Sequence, residues 1–224
     1  MIRFLFAFLL LANVAWANNC QIPPDITPPR PTPIKQEEVN TTAKVDGFVL
    51  SVSWSPDFCA NNPNKRPQCG GDQQFNWVLH GLWPQDSAAS NPLKDNPRFC
   101  KENQAISLDL ARKNFCLSPD PQLMQNEWAK HGTCYFKTPE DYFAKAAEMF
   151  WVLNLPELAD FEADLEAKIL KDNPALVDLK VMAKKDFLQE IHICYDIDFK
   201  PTSCSNSGRA HLGPVKVKNY SKKN

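Results

Sequence analysis

Eight cysteines constrain this chain more than any other feature: Cys20, Cys59, Cys69, Cys100, Cys116, Cys134, Cys194 and Cys204. Their meaning depends on the compartment, and the N-terminus speaks to that. Arg3 gives a positive start, Phe4 to Val14 an apolar run, and Ala15-Trp16-Ala17 a small-x-small cleavage pattern. Residues 1–17 therefore read as a secretory signal peptide, with cleavage expected after Ala17. The run is short for a bilayer span and no later segment is apolar enough, so no stable membrane association is expected. In an oxidising compartment, periplasm or exterior, eight cysteines predict four disulfides. A metal site is the rival reading, but the chain has no Cys-x-x-Cys or His-x-x-x-His pair. Proximity favours Cys59–Cys69 and Cys194–Cys204 among the roughly 105 connectivities that eight cysteines allow.

Residues 18–44 read as an arm or linker. Pro23, Pro24, Pro28, Pro29, Pro31 and Pro33 favour extended polyproline II there and exclude helix or central strand. Residues 45–224 read as one domain, since 224 residues at 43% hydrophobic content bury one sizeable core. Phe48 to Trp54 is a strand ended by Ser55-Pro56-Asp57, and residues 93–123 read as short helices and loops. Thr138-Pro139-Glu140-Asp141 opens a helix to about Leu153 that buries Phe143, Ala146, Ala147 and Phe150. A second helix is expected over residues 156–171, with Leu158, Phe161, Leu165 and Ile169 on one stripe. Gln189 to Asp198 alternates as a strand, with Ile191, Ile193, Tyr195 and Ile197 on one face and His192 on the other beside Cys194. Val215 and Val217 suggest a last strand. Strands and helices cluster rather than alternate, which predicts an α+β fold: an antiparallel central sheet packed by several helices and stapled by disulfides.

A formal net charge of −1 excludes a polycation that coats nucleic acid, so any polyanion must be gripped locally. Two stretches offer such a grip. In Asn126-Glu127-Trp128-Ala129-Lys130-His131-Gly132-Thr133-Cys134, a helix would place Glu127, Lys130 and His131 at i, i+3 and i+4 on one face, with Gly132 as its stop. A solvated charged face is the commoner meaning of that pattern taken alone. Phe75-Asn76-Trp77-Val78-Leu79-His80 is a strand that delivers a histidine to its exit and breaks at Gly81-Leu82-Trp83-Pro84. One wall of a cleft, or a strand-end histidine with a core tryptophan, are its two readings.

Together, His80-Gly81-Leu82-Trp83-Pro84 and Glu127-Trp128-Ala129-Lys130-His131-Gly132-Thr133-Cys134 resemble the two active-site segments of the ribonuclease T2 family, in the family's order. The strand from Phe48 to Trp54 is similar to the family's first core strand. The resemblance implies a monomeric secreted or periplasmic endoribonuclease with RNA as its partner, no cofactor and no metal. It would cut single-stranded RNA with little base specificity, passing through a 2′,3′-cyclic phosphate to 3′-phosphate ends. His131 would be the base and His80 the acid in the first step, exchanging roles when water opens the ring. Histidine suits both roles because its ordinary pKa is about 6.5. Lys130 would stabilise the phosphorane charge, and Glu127 would tune a histidine, orient it, or donate to phosphate if protonated. Trp83 offers a stacking face for a base or plain core packing, and Trp128 belongs to the core.

The family's usual bridge suggests Cys100–Cys134, and elimination then leaves Cys20–Cys116, which would tie down the arm. One position departs from the pattern: Asn126 stands where the family usually has a third histidine. An amide can bond phosphate but brings no charge. His192 and His211 match no catalytic motif and read as structural. Two other functions compete: a secreted binding protein that lost catalysis, and a metal-dependent nuclease or phosphatase, which the lack of an acidic or histidine cluster disfavours. Asn40-Thr41-Thr42 and Asn219-Tyr220-Ser221 fit a glycosylation pattern that matters only in a eukaryotic secretory pathway.

Overall fold

The computed structural model describes residues 20–204 and 210–220, so the expected signal peptide and cleavage site lie outside the described residues. In chain order the elements are β1 (Gly47–Trp54), α1 (Ser55–Asn61), β2 (Trp77–Gln85), α2 (Pro92–Asp95), α3 (Leu108–Lys113), α4 (Pro121–Lys130), α5 (Pro139–Trp151), β3 (Phe161–Glu162), α6 (Leu165–Asp172), β4 (Lys180–Lys184), β5 (Phe187–Asp196), β6 (Pro201–Thr202) and β7 (Val215–Lys216). Short 3-10 turns cover Gln36–Glu38 and Gly132–Cys134.

Alternation in β1 decides which side of the sheet is the core. Phe48, Leu50, Val52 and Trp54 are at most 1% exposed and join one hydrophobic cluster. Ile191, Ile193 and Tyr195 of β5 enter the same cluster, as do Met124 and Trp128 of α4 and Tyr142, Phe143, Ala146 and Phe150 of α5. Each large side chain removed from water there contributes about 1.5–3 kcal/mol. The opposite face of β1 and β5 carries Val49, Ser51, Ser53, Glu190, His192 and Cys194, the face on which the polar site is built.

β1 pairs antiparallel with β2 on one edge and with β5 on the other. β4 and β6 pair antiparallel with the far edge of β5, while β7 runs parallel to it and β3 follows. The fold is α+β, with a sheet antiparallel throughout except at β5–β7. Four disulfides staple it: Cys20–Cys116, Cys59–Cys69, Cys100–Cys134 and Cys194–Cys204.

Three local expectations fail, each for a visible reason. The helix expected over residues 156–171 is only α6, because Asp164 caps it by accepting from Ala167 N and Phe161 is drawn into the sheet opposite Lys216. Phe161 is thereby 57% exposed rather than part of an apolar stripe. Ile197 leaves the core face because β5 stops at Asp196, whose N–H and carboxylate close a turn with Lys200. Ala147 is half-buried, and Tyr142 and Met149 fill the α5 core face beside Phe143.

The proline-rich arm is pinned against the domain rather than loose. Cys20 is bonded to Cys116, Ile26 is buried with Phe75 and Phe115, and Asn40 pairs its backbone with Arg98. Between these anchors, Arg30 and Thr32 bond the side chains of Gln122, Asn103 and Asn126.

Candidate active site

β2 does not break at Gly81-Leu82-Trp83-Pro84 but continues to Gln85 as an edge strand, where Pro84 costs no ladder bond. The disruption falls one residue earlier. Ser51 of β1 faces Gly81 and Val52 faces Leu79, so His80 is the unpaired residue of a β-bulge. Leu79 and Leu82 both enter the core although three apart, which strict alternation forbids and the extra residue permits. The bulge re-aims the His80 side chain, leaving it 32% exposed at the cleft.

Gly81 makes the next step possible. A methyl group there would overlap Glu127 Oε2 and lie 2.6 Å from Trp83 Nε1. In its absence Trp83 Nε1 donates to Glu127 Oε2 at 2.6 Å. The Trp83 ring also stacks on His131 (centroids 5.4 Å, 29° between planes) and meets His80 edge-on at 5.2 Å. Its ring is thus engaged within the site itself.

α4 presents the second motif. Asp120 caps it by accepting from Gln122 N and Leu123 N, Pro121 takes the first turn, and the helix ends at Lys130 with His131 as its C-cap. Glu127, Lys130 and His131 share one side, as the i, i+3, i+4 spacing requires. Gly132 is not a left-handed helix stop. It is needed because a side chain there would run into the Trp128 ring and lie 3.0 Å from Tyr142. Thr133 then locks the turn, donating to Ala129 O and accepting from Cys100 N beside the Cys100–Cys134 bridge.

The two imidazoles flank one carboxylate. Glu127 Oε1 is 3.6 Å from His80 Nε2, and Oε2 is 3.9 Å from His131 Nε2. Burial raises the pKa of Glu127, opposed by His80, the Trp83 hydrogen bond and Lys130. Burial likewise disfavours a charge on His80, but Glu127 and Glu190 outweigh it and push the imidazole up to about 9. His131 moves the other way: burial first, then the positive charges of Lys130, His80 and Arg98, hold it well below its ordinary value. At neutral pH one histidine is therefore charged and the other neutral.

Two participants were not singled out from sequence. Glu190 Oε2 accepts from His80 Nδ1 at 2.9 Å and from Ser51 Oγ at 2.8 Å, and its Oε1 accepts from His192 Nε2 at 3.0 Å. Ser53 Oγ adds a longer bond of 3.4 Å. His192, read as structural, is buried but wired to His80 through this carboxylate. The available signal was a run of polar residues on the non-core face of two core strands. His211 bonds Pro214 O and takes no part.

A cleft of about 820 Å³ opens beside His80, lined among others by Asn126, Lys65, Lys184, Lys185 and Lys218. Lys65 is paired with Asp120 at 3.3 Å and Lys218 with Asp57 at 3.0 Å. Asn126 Oδ1 accepts from Thr32 Oγ1 at 2.9 Å and from Gln122 Nε2 at 3.1 Å, so the arm holds this amide from behind.

The chain has relatives among known proteins. Residues 45–204 match the Ribonuclease T2 family. This chain belongs to the ribonuclease T2 family. It is 36% identical over 177 residues to a probable ribonuclease of Haemophilus influenzae, covering 75% of this chain and 64% of that protein. It is also 36% identical over 104 residues to a ribonuclease of Aeromonas hydrophila, covering 46% of this chain and 44% of that one. This chain thus spans less than two thirds of either relative's length. The fold is similar to that of RNase NT, solved in complex with 5′-AMP, with a TM-score of 0.61 and 16% identity over 79% of this chain and 100% of that one.

Proposed function

We propose that this ribonuclease T2 family member is a metal-independent endoribonuclease cutting single-stranded RNA by transphosphorylation. The observation that carries it is the placing of two imidazoles on either side of one carboxylate, with His80 Nε2 3.6 Å from Glu127 Oε1 and His131 Nε2 3.9 Å from Oε2. In this reading neutral His131 takes the proton from the ribose 2′-oxygen, which attacks the adjacent phosphorus. Protonated His80 gives its Nε2 proton to the departing 5′-oxygen as that P–O bond breaks. The 2′,3′-cyclic phosphate formed is then opened by water to a 3′-phosphate, with the roles reversed. Both proton transfers are covered by imidazoles, and no step asks for a metal-bound hydroxide.

Lys130 supports the negative charge that builds on the phosphorane oxygens. Glu127, held by Trp83 and pushed toward its neutral form by burial, donates a hydrogen bond to phosphate when protonated and attracts the His80 proton when not. Trp83 positions Glu127 and His131. Asn126 offers its amide to a neighbouring phosphate, and the cleft lysines Lys184 and Lys185 track the strand beyond. Contacts to backbone rather than to base edges give low base specificity. All groups come from one chain, so the working unit is a monomer in this reading.

Four disulfides fit an exported protein, and no helix among the described residues is long and apolar enough to cross a membrane. We assign residues 1–17 as a signal peptide cleaved after Ala17, residues 18–44 as an arm and residues 45–224 as the catalytic domain, with the mature protein in the periplasm or outside the cell. The mature protein incubated with RNA and excess chelator tests the function. Cleavage is expected. Cleavage abolished by chelator would favour a metal-dependent nuclease, and none with or without it a binding protein.

A further inference from the structure

Glu190 is the half-buried carboxylate of the site that no motif predicted, and His80, His192 and Ser51 all donate to it. Register puts it there. Ser51 of β1 faces His192 of β5 and Ser53 faces Glu190, so four polar side chains meet on one sheet face, next to the bulge that displaces His80. Its oxygens accept from His80 Nδ1 at 2.9 Å, His192 Nε2 at 3.0 Å and Ser51 Oγ at 2.8 Å. A carboxylate accepting three such bonds is fixed in place and fixed as an anion.

We propose that Glu190, braced by His192 and Ser51, is the positioning residue that sets His80 as the proton donor of the cleavage step. By accepting from Nδ1 it keeps a proton on that nitrogen in both charge states, so the titrating position is Nε2, which faces Glu127 and the cleft. Its negative charge also favours the doubly protonated imidazole. The sheet does for His80 what an orienting acid does for a histidine in other hydrolytic sites. His192 completes the device by holding the other oxygen, so the carboxylate cannot swing away when RNA arrives. This rests on the reading of His80 as the acid.

The charged groups that face His80 are Glu127 and Lys130 from α4 and Glu190 from β5, with His192 behind Glu190. Glu127 acts on the Nε2 side, and Lys130 opposes a positive imidazole. Only Glu190 bonds Nδ1. Burial and Lys130 lower the His80 pKa, the two carboxylates raise it, and the balance lies near 9.

The test is Glu190→Gln, which keeps shape and removes charge, with Glu190→Asp as the charge-retaining control. The His80 midpoint is read by NMR titration of its imidazole in the absence of RNA. It is expected to fall by at least one pH unit in Glu190→Gln and by less in Glu190→Asp. Rates should follow: the deficit of Glu190→Gln relative to wild type should be at least about threefold larger at pH 8.5 than at pH 5.5, which is what a one-unit fall from about 9 does to the protonated fraction. A midpoint that does not move, or a deficit equal at both pH values, overturns the proposal. RNA cleavage by the wild type is scored separately, so loss of the enzymatic reading is not confused with loss of this one. Should Glu190→Gln fail to fold, ¹⁵N shifts of wild-type His80 decide the matter. Neutral His80 is expected to keep its proton on Nδ1, and a neutral form protonated on Nε2 overturns the proposal.

Discussion

Gly81→Ala is the substitution whose sign depends most on the site being built as described. In an ordinary strand, replacing glycine by alanine gains about 0.5–1 kcal/mol from the unfolded chain. Here the new methyl would overlap Glu127 Oε2, lie 2.6 Å from Trp83 Nε1 and 3.0 Å from the Glu127 carboxyl carbon. Glu127 or Trp83 must retreat by on the order of 1 Å, enough to cost about 10²-fold in a positioned site. The retreat breaks the 2.6 Å Trp83–Glu127 bond and widens the 3.6 Å approach to His80. A hydrogen bond to a charged group is worth about 1.5–3 kcal/mol, and overpacking costs about 1–3 kcal/mol, so after the backbone gain the net effect is destabilising by about 1.5–5.5 kcal/mol. Urea unfolding gives the first quantity and initial rates on RNA the second. A variant more stable than wild type and fully active would refute the description of Gly81 as the space Glu127 occupies.

His80→Ala and His131→Ala should each lose about 10²–10⁴-fold in cleavage while unfolding cooperatively, and the double variant should lose little more; near-normal rates in either folded single variant contradict the assignment. The rate profile should be bell-shaped and wide: activity falls above about pH 9 as His80 loses its proton, and at acidic pH only well below 6.5, where His131 gains one. A profile rising steadily into alkali contradicts paired histidines. Replacing Lys184 and Lys185 with Ala should raise KM on long RNA, leave kcat nearly intact, and flatten the salt dependence by about 0.7 per lost phosphate contact; an unchanged slope removes them from the RNA path. Asn126→His should tighten RNA binding at pH 5 relative to pH 7.5, because a charged imidazole bonds phosphate better than an amide. No such gain in a folded variant means the arm's Thr32, not phosphate, decides what stands at position 126.

The core was readable because β1, β5 and α5 obey the periods their geometry imposes. Phe48, Leu50 and Val52 alternate, and Thr138-Pro139 opens α5 where capping chemistry places it. The failure at 156–171 shows the limit: an apolar stripe was present, but long-range pairing of Phe161 with Lys216 outweighed local propensity. In the site, contiguous motifs were legible and sheet register was not. Glu127, Lys130 and His131 lie within five residues, whereas Glu190 reaches His80 across 110 positions, through a pairing that sequence does not specify. The bulge at His80 was hidden for the same reason, since it exists only relative to β1. The arm's hold on Asn126 spans 94 positions and carries no local signature.

The most direct measurement uses an oligoribonucleotide and its twin carrying one 2′-deoxy sugar, each incubated in chelator with the mature protein, with products weighed by mass spectrometry. The account predicts transient 2′,3′-cyclic phosphate ends that become 3′-phosphates, and no cut 3′ of the deoxy sugar. Cleavage at that position, or 5′-phosphate products from the all-ribose strand, would contradict attack by the 2′-oxygen and with it the role given to His131.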